Sequence, residues 1–267
     1  MVLRYFLFAT LLICASYLPA AKSQEAQSVQ SSSNFIGFWL SPLVYDNLTI
    51  RHDGVPLFRS KPSPSGEGGI FYRQRIAGDW FVNLGAGWGM ASSNLNFRFK
   101  AHRLDTARVS EFDLNHYDVY ENHFVFPLTI QRLTARSRNT NYSIEAGARL
   151  HYVYNYPFGI GVGASYQTYD GNSVRFFEYR MENRHSKYFV AYMLKGGWIR
   201  NTKRMNTFGI QVVASYCPKK LAYGYYRFPN FSFESKGAVA QTLNFIGLDL
   251  TYGFALDKPA KSLQSSE

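Results

Sequence analysis

Through two stretches of this chain, apolar and polar residues trade places at every second position. In Ser143–Tyr154 the even positions are Ile144, Ala146, Ala148, Leu150, Tyr152 and Tyr154, and the odd ones Ser143, Glu145, Gly147, Arg149, His151 and Val153. In Ile246–Phe254 one face holds Ile246, Leu248, Leu250, Tyr252 and Phe254, and the other Gly247, Asp249, Thr251 and Gly253. A period of two predicts strands, because successive side chains leave a strand on opposite faces. Large aliphatic and aromatic residues fill one face, while glycines and charges share the other. That division predicts a barrel whose wall meets lipid and whose narrow lumen is polar.

Six further stretches carry the same alternation. The first is Asn34–Tyr45, with Ile36, Phe38 and Leu40 opposite Gly37, Trp39 and Ser41. Gly68–Ala77 sets Ile70, Tyr72 and Ile76 outward and Arg73 and Arg75 inward. The third strand sets Val82, Leu84, Ala86, Trp88 and Met90 against Asn83, Gly85, Gly87 and Gly89. The fourth faces Phe124, Phe126, Leu128 and Ile130 outward and His123, Val125, Pro127, Thr129 and Gln131 inward. Pro127 has no amide proton for the ladder, so a bulge or weak pairing is expected there. Tyr188–Arg200, with Lys195 inward, and Phe208–Tyr216 complete the set.

Connections alternate between short, at Gly78-Asp79, Arg136–Asn141 and Asn201–Asn206, and long, at 46–67, 101–117, 155–187 and 217–240. Membrane barrels keep short turns on one side and long loops on the other. The expected fold is all-β: a transmembrane up-and-down antiparallel β-barrel of eight strands. A hairpin around Asp170-Gly171, between Phe158–Tyr169 and Val174–Arg180, makes ten strands the alternative; its weaker alternation favours eight.

Residues 1–23 read as an export signal, with Arg4 before the apolar run Tyr5–Leu18 and Ala21-Lys22-Ser23 at the cleavage point. Cys14 would suit a lipid anchor, but Ile13 stands where such signals place a small residue. Residues 24–33 form a polar lead-in, 34–256 the barrel and 257–267 a polar tail. No downstream window of eighteen apolar residues exists, so no helical span is expected. Aromatic residues make up 17% of the chain, a surplus that two interfacial girdles would use. Trp80, Tyr142, Trp198, Tyr252 and Phe254 are expected at the short-turn girdle, and Tyr45, Tyr154, Tyr156 and Tyr216 at the other. The mature chain would keep one cysteine, Cys217, which allows no intrachain disulfide.

The charges Arg73, Arg75, Glu145, Arg149, Lys195 and Asp249 are expected to form a network in the lumen. Eight strands leave an interior only wide enough for side chains, so these groups must pair. A salt-bridged plug is the expectation, and a cation-lined anion path the competing one. Loss of Arg4 and Lys22 lowers the formal charge from +11 to +9. The basic residues are scattered and suit outer-membrane lipid, lipopolysaccharide or surface glycans, with no nucleic acid expected.

The chain resembles the outer-membrane β-barrel proteins of the Bacteroidota called PorT-like. The carrying residues are Ser41-Pro42, Gly69-Ile70-Phe71-Tyr72-Arg73 through Leu84-Gly85-Ala86-Gly87-Trp88-Gly89, and Phe126-Pro127-Leu128 before Glu145-Ala146-Gly147-Ala148. Gly224-Tyr225-Tyr226 before Ile246-Gly247-Leu248-Asp249-Leu250-Thr251-Tyr252 complete it. The resemblance covers most of residues 34–256 and implies a Gram-negative outer membrane. It departs at the end, where Phe254 is followed by Ala255–Glu267 in place of a terminal aromatic.

Catalytic signals are missing: no HExxH, zinc spacing, phosphate loop or nucleophile elbow occurs. The histidines His52, His102, His116, His123, His151 and His185 are expected to be solvated loop residues, including those in His116-Tyr117-Asp118 and Arg184-His185-Ser186. No catalytic residue, cofactor or metal is expected. The expected role is a non-enzymatic barrel with long loops that contact other envelope proteins or glycans. A narrow transport or secretion-accessory barrel is the alternative. A soluble lipocalin-like carrier, suggested by Gly37-Phe38-Trp39, is the third reading; its ligand would need apolar lumenal walls.

Overall fold

The computed structural model describes residues 33–99, 112–137, 139–154, 158–167, 171–183, 186–202, 205–229 and 235–256. The expected export signal, all of the expected lead-in but Ser33, and the tail from 257 lie outside these residues, as do His102, Tyr156 and His185. The strands, numbered in chain order, are β1 (Asn34–Tyr45), β2 (Thr49–Gly54), β3 (Phe58–Lys61), β4 (Ser63–Ala77) and β5 (Trp80–Phe99). They continue with β6 (Phe112–Ser137), β7 (Thr140–Tyr152), β8 (Phe158–Gln167), β9 (Ser173–Asn183) and β10 (Tyr188–Asn201). The last four are β11 (Thr207–Tyr216), β12 (Ala222–Arg227), β13 (Ser235–Gln241) and β14 (Phe245–Ala255).

Eight of them, β1, β4, β5, β6, β7, β10, β11 and β14, pair antiparallel with their sequential wall neighbours, and β1–β14 closes the ring. This is the expected eight-stranded up-and-down barrel. β1 alternates buried and exposed along its whole length from Phe35. The orientation is the inverse of a soluble barrel: Leu150 and Leu248 are 37% and 45% exposed, while Arg149 and Asp249 are 1% and 0% exposed. An apolar outside around a polar inside is what a lipid solvent demands. The exposed apolar outside also argues against the soluble carrier reading.

Proline leaves its expected mark. The β5–β6 ladder lapses between Leu84↔Leu128 and Gly87↔Val125, opposite Pro127, without a change of register. The β1–β14 ladder lapses in the same way beside Pro42, between Leu40↔Leu250 and Leu43↔Gly247. Both sites show weakened pairing and no bulge, because the missing amide removes a bond without adding a residue. The short turn at Gly78 takes φ +49°, a conformation that favours glycine.

The long connections correct the sequence reading. Residues 46–67, expected as loop, contain β2, β3 and the start of β4; the region 217–240 contains β12 and most of β13. The expected hairpin in 155–187 exists as β8–β9, but it does not enter the wall. Of these, β3 pairs with β5 of the wall, whereas the others outside β4 build a second antiparallel sheet in the order β2-β13-β12-β9-β8. Its buried residues Phe176, Phe177, Tyr179, Met181, Tyr226 and Val239 share one core with the inward-facing Leu43, Tyr45, Phe189, Met193, Val213 and Phe245 of the wall. The second sheet therefore packs its apolar face onto the long-connection end of the barrel. Tyr45, expected in a girdle, is 1% exposed inside that core and stacks edge-on against Phe245 at 5.5 Å. Trp80, Tyr142, Trp198 and Phe254, at the short-turn end, and Tyr154 and Tyr216, at the other, are exposed as expected.

Candidate functional site: the barrel interior

The lumen is filled in layers. Trp39 of β1 lies across it, 6% exposed, against the inner faces of β4 and β5. Glycine makes the room: a Cβ on Gly69, Gly85 or Gly87 would stand 2.5, 3.1 or 2.7 Å from the indole. Gly85 and Gly87 thus make room for this aromatic side chain, and at Gly69 and Gly87 a neighbouring strand's backbone oxygen comes as close, 2.3 and 2.4 Å from the same Cβ positions.

Beside this ring, Lys195 of β10 pairs with Asp249 of β14 and, at 3.3 Å, with Glu145 of β7. Ser41 donates to Asp249 Oδ1 at 2.6 Å, and Thr129 to Glu145 Oε1 at 2.6 Å. Gln131 donates to Glu145 Oε2 at 3.3 Å and to Ser143 at 2.8 Å, and Gln211 donates to Ser143 at 3.0 Å. These bonds satisfy both carboxylates and the ammonium. Without such partners each buried charge would cost several kcal/mol.

The six expected charges do not form one network. Lys195, Glu145 and Asp249 come together. Arg73 makes no direct ion pair with them: it donates to the neutral Thr207 at 2.8 Å and at 3.4 Å to Gln131, which in turn donates to Glu145, and its guanidinium lies 4.3 Å from the Phe35 ring. Arg75 is half-buried nearer the short-turn end, 5.2 Å from the Phe81 ring. Arg149 turns the other way and pairs with Glu67, which had been assigned to a loop. A cavity of about 40 Å³ remains between these groups, lined in part by Trp39, Arg73, Glu145 and Lys195.

Glu67 opens the layer that sequence reasoning missed. Its Oε1 accepts from the Tyr45 hydroxyl at 3.2 Å and lies 3.3 Å from His123 Nε2, while its Oε2 takes Arg149. His123 and His151 are both 0% exposed, their rings 4.8 Å apart. The expectation of solvated histidines fails for these two. Their inward parity in β6 and β7 was legible, but nothing local in the sequence signals that two strands' histidines converge. His52 is different: it sits in β2 with Nδ1 against the Tyr226 hydroxyl. The side chain of His116 lies outside the described residues. Neither ring nitrogen of His151 has a hydrogen-bond partner, nor does His123 Nδ1. An unpartnered buried polar atom costs about 1–3 kcal/mol.

The outer face of the second sheet is built for water. Glu178 is bound by Arg227 and by the Tyr225 hydroxyl at 2.9 Å. Arg227, hydrogen-bonded to it, holds the Glu178 carboxyl below the usual carboxylate range. Arg180, Glu182, Tyr223 and Tyr225 line an open depression of about 470 Å³ on this sheet.

No family model and no curated relative matches the chain. Solved structures of similar shape include the outer membrane protein OprG from Pseudomonas aeruginosa, at 8% identity and a TM-score of 0.46, covering 84% of this chain and 97% of OprG. The outer membrane protease OmpT from Escherichia coli aligns over 87% of this chain and all of its own, at 10% identity and a TM-score of 0.33. The toluene transporter TodX of P. putida aligns at 7% identity and a TM-score of 0.22, over 85% of this chain and 91% of its own. One is a protease and one a transporter, so the likeness is one of architecture and carries no activity to this chain.

Proposed function

We propose that this chain is a non-enzymatic integral outer-membrane protein of a Gram-negative bacterium, of the PorT-like kind, with a sealed barrel and a binding surface outside the cell. The observation that carries the reading is the filled interior. Trp39 and the Lys195–Glu145–Asp249 cluster occupy the lumen, and the second sheet packs its apolar face over the long-connection end. Residues 1–23 direct export, and the short turns face the periplasm, as in other membrane barrels. Arg132 and Arg136 lie 5.6 and 5.1 Å from the rings of Trp80 and Tyr142, a basic and aromatic rim suited to lipid head groups. The exposed Tyr223, Tyr225 and Arg180, with the half-buried Glu182, offer flat rings beside paired charges. That chemistry suits lipopolysaccharide, a surface glycan or another envelope protein. The non-enzymatic reading is supported by the burial of His123 and His151 where no substrate reaches.

Planar bilayer recording tests the seal. The purified protein is expected to be silent, and steady anion-selective steps would instead establish the narrow transport role. Membrane residence is tested separately. The protein should leave membranes only with detergent and migrate differently on gels before and after boiling.

A further inference from the structure

Three side chains from three wall strands converge where nothing in the proposed role requires them. Glu67 reaches His123 across β5 because Gly89 lies between them in the ladders. A Cβ at Gly89 would stand 2.5 Å from Glu67 Cγ and 3.2 Å from His123 Nε2. His151 arrives from β7, paired with Val125 two residues beyond His123, which sets the imidazoles on one diagonal. One donor atom from each of Glu67, His123 and His151 lies within 4.8 Å of the other two, and all three residues are buried. Three of the four ring nitrogens lack a hydrogen-bond partner.

We propose that Glu67, His123 and His151 bind one divalent first-row transition ion, Zn²⁺ being the probe, in a closed site inside the barrel. Two neutral imidazoles and a carboxylate are a donor set for zinc and its neighbours, whereas Mg²⁺ and Ca²⁺ take oxygen ligands. Zinc bonds of about 2.0–2.2 Å put tetrahedral ligands roughly 3.4 Å apart, so the donors close by about an ångström through side-chain rotation. The Tyr45 hydroxyl, 3.2 Å from Glu67 Oε1, is the nearest further oxygen recorded at this carboxylate. Arg149 binds the other carboxylate oxygen and orients Glu67, as partners behind metal ligands do. Glu121, inward on β6 two residues from His123, is 5% exposed with Oε1 unpartnered. The ion ties β4, β6 and β7 together, and the site exists whether or not the barrel conducts.

The full chain, unfolded with chelator and refolded in detergent with Zn²⁺ or Co²⁺, is freed of excess metal by gel filtration. One equivalent of zinc should remain, and the cobalt form should show the visible bands of a tetrahedral site with nitrogen ligands. His123→Leu and His151→Leu should each cut retained metal by at least about tenfold while keeping the folded gel mobility, since leucine suits a buried position. Should a leucine variant fail to refold, His151→Gln replaces it. No metal above the blank in the wild-type protein overturns the proposal, as does a full equivalent retained by folded variants.

Discussion

In the wall, Ile70, Leu84 and Leu128 face outward and are more than half exposed, while Lys195 and Asp249 are buried. In the second sheet, Phe177, Tyr179 and Met181 are buried, and Arg180 and Arg227 carry their charge outside. The two sheets belong to one chain and apply one period-two rule with opposite sign. Each turns toward its surroundings the side chains those surroundings solvate: acyl chains around the wall, water above it. Ion pairs sharpen the contrast. The same chemistry that holds the lumen together at Lys195–Asp249 decorates an exposed surface at Arg227–Glu178.

The largest effect expected from breaking this contrast is in the lumen. Lys195→Met leaves Asp249 and Glu145 buried without their cation and should cost about 3–5 kcal/mol in urea-titrated folding into vesicles. Next is the wall, where Leu128→Arg should cost about 2–4 kcal/mol by the same titration, as lipid-facing cations do near the midplane. Tyr223→Arg on the second sheet should stay within about 0.5 kcal/mol, since that face already meets water. Overfilling beside Trp39 comes third: Gly87→Ala places a methyl 2.4 Å from the Gly68 carbonyl oxygen and 2.7 Å from the indole and should cost about 1–3 kcal/mol, seen as a lower melting temperature.

The exposed pair ranks beside Tyr223→Arg at the small end. Arg227→Ala should cost about 0.2–1 kcal/mol at neutral pH, less in high salt. The Glu178 carboxyl is held below its unfolded value, so its contribution is full above about pH 4.3 and fades as pH falls through the lower, folded value. Stability profiles of wild type and Glu178→Gln should converge across that acid window. Profiles that stay parallel would show the pair to be worthless.

Strand edges in the wall were legible in part, since β4 and β6 begin inside stretches expected as loop. Asn34–Tyr45 matches β1, and Ile246–Phe254 falls one residue short of β14 at each end. Lipid on one side and a polar lumen on the other make every wall residue choose a face, and that choice is written as alternation. Of the second sheet only the β8–β9 hairpin was anticipated, because the sheet is solvated differently: Thr49–Gly54 is exposed almost throughout, so β2 carries no such signature. Glu67 escaped for a related reason. It sits in Pro64-Ser65-Gly66-Glu67-Gly68, whose turn-forming residues disguise a strand that the β1 ladder holds extended.

By itself, the order of residues determined which side of each wall strand meets lipid, and therefore that Arg73, Glu145, Arg149, Lys195 and Asp249 point inward. It did not determine who meets whom across the lumen. Arg149 could have joined Glu145 and Asp249; strand stagger took it to Glu67 instead. The convergence of His123 and His151, and the folding of the long connections into a cap, were likewise decided only in three dimensions. Facing is a local property of a two-residue repeat, whereas partnership inside a closed barrel depends on register summed around the ring.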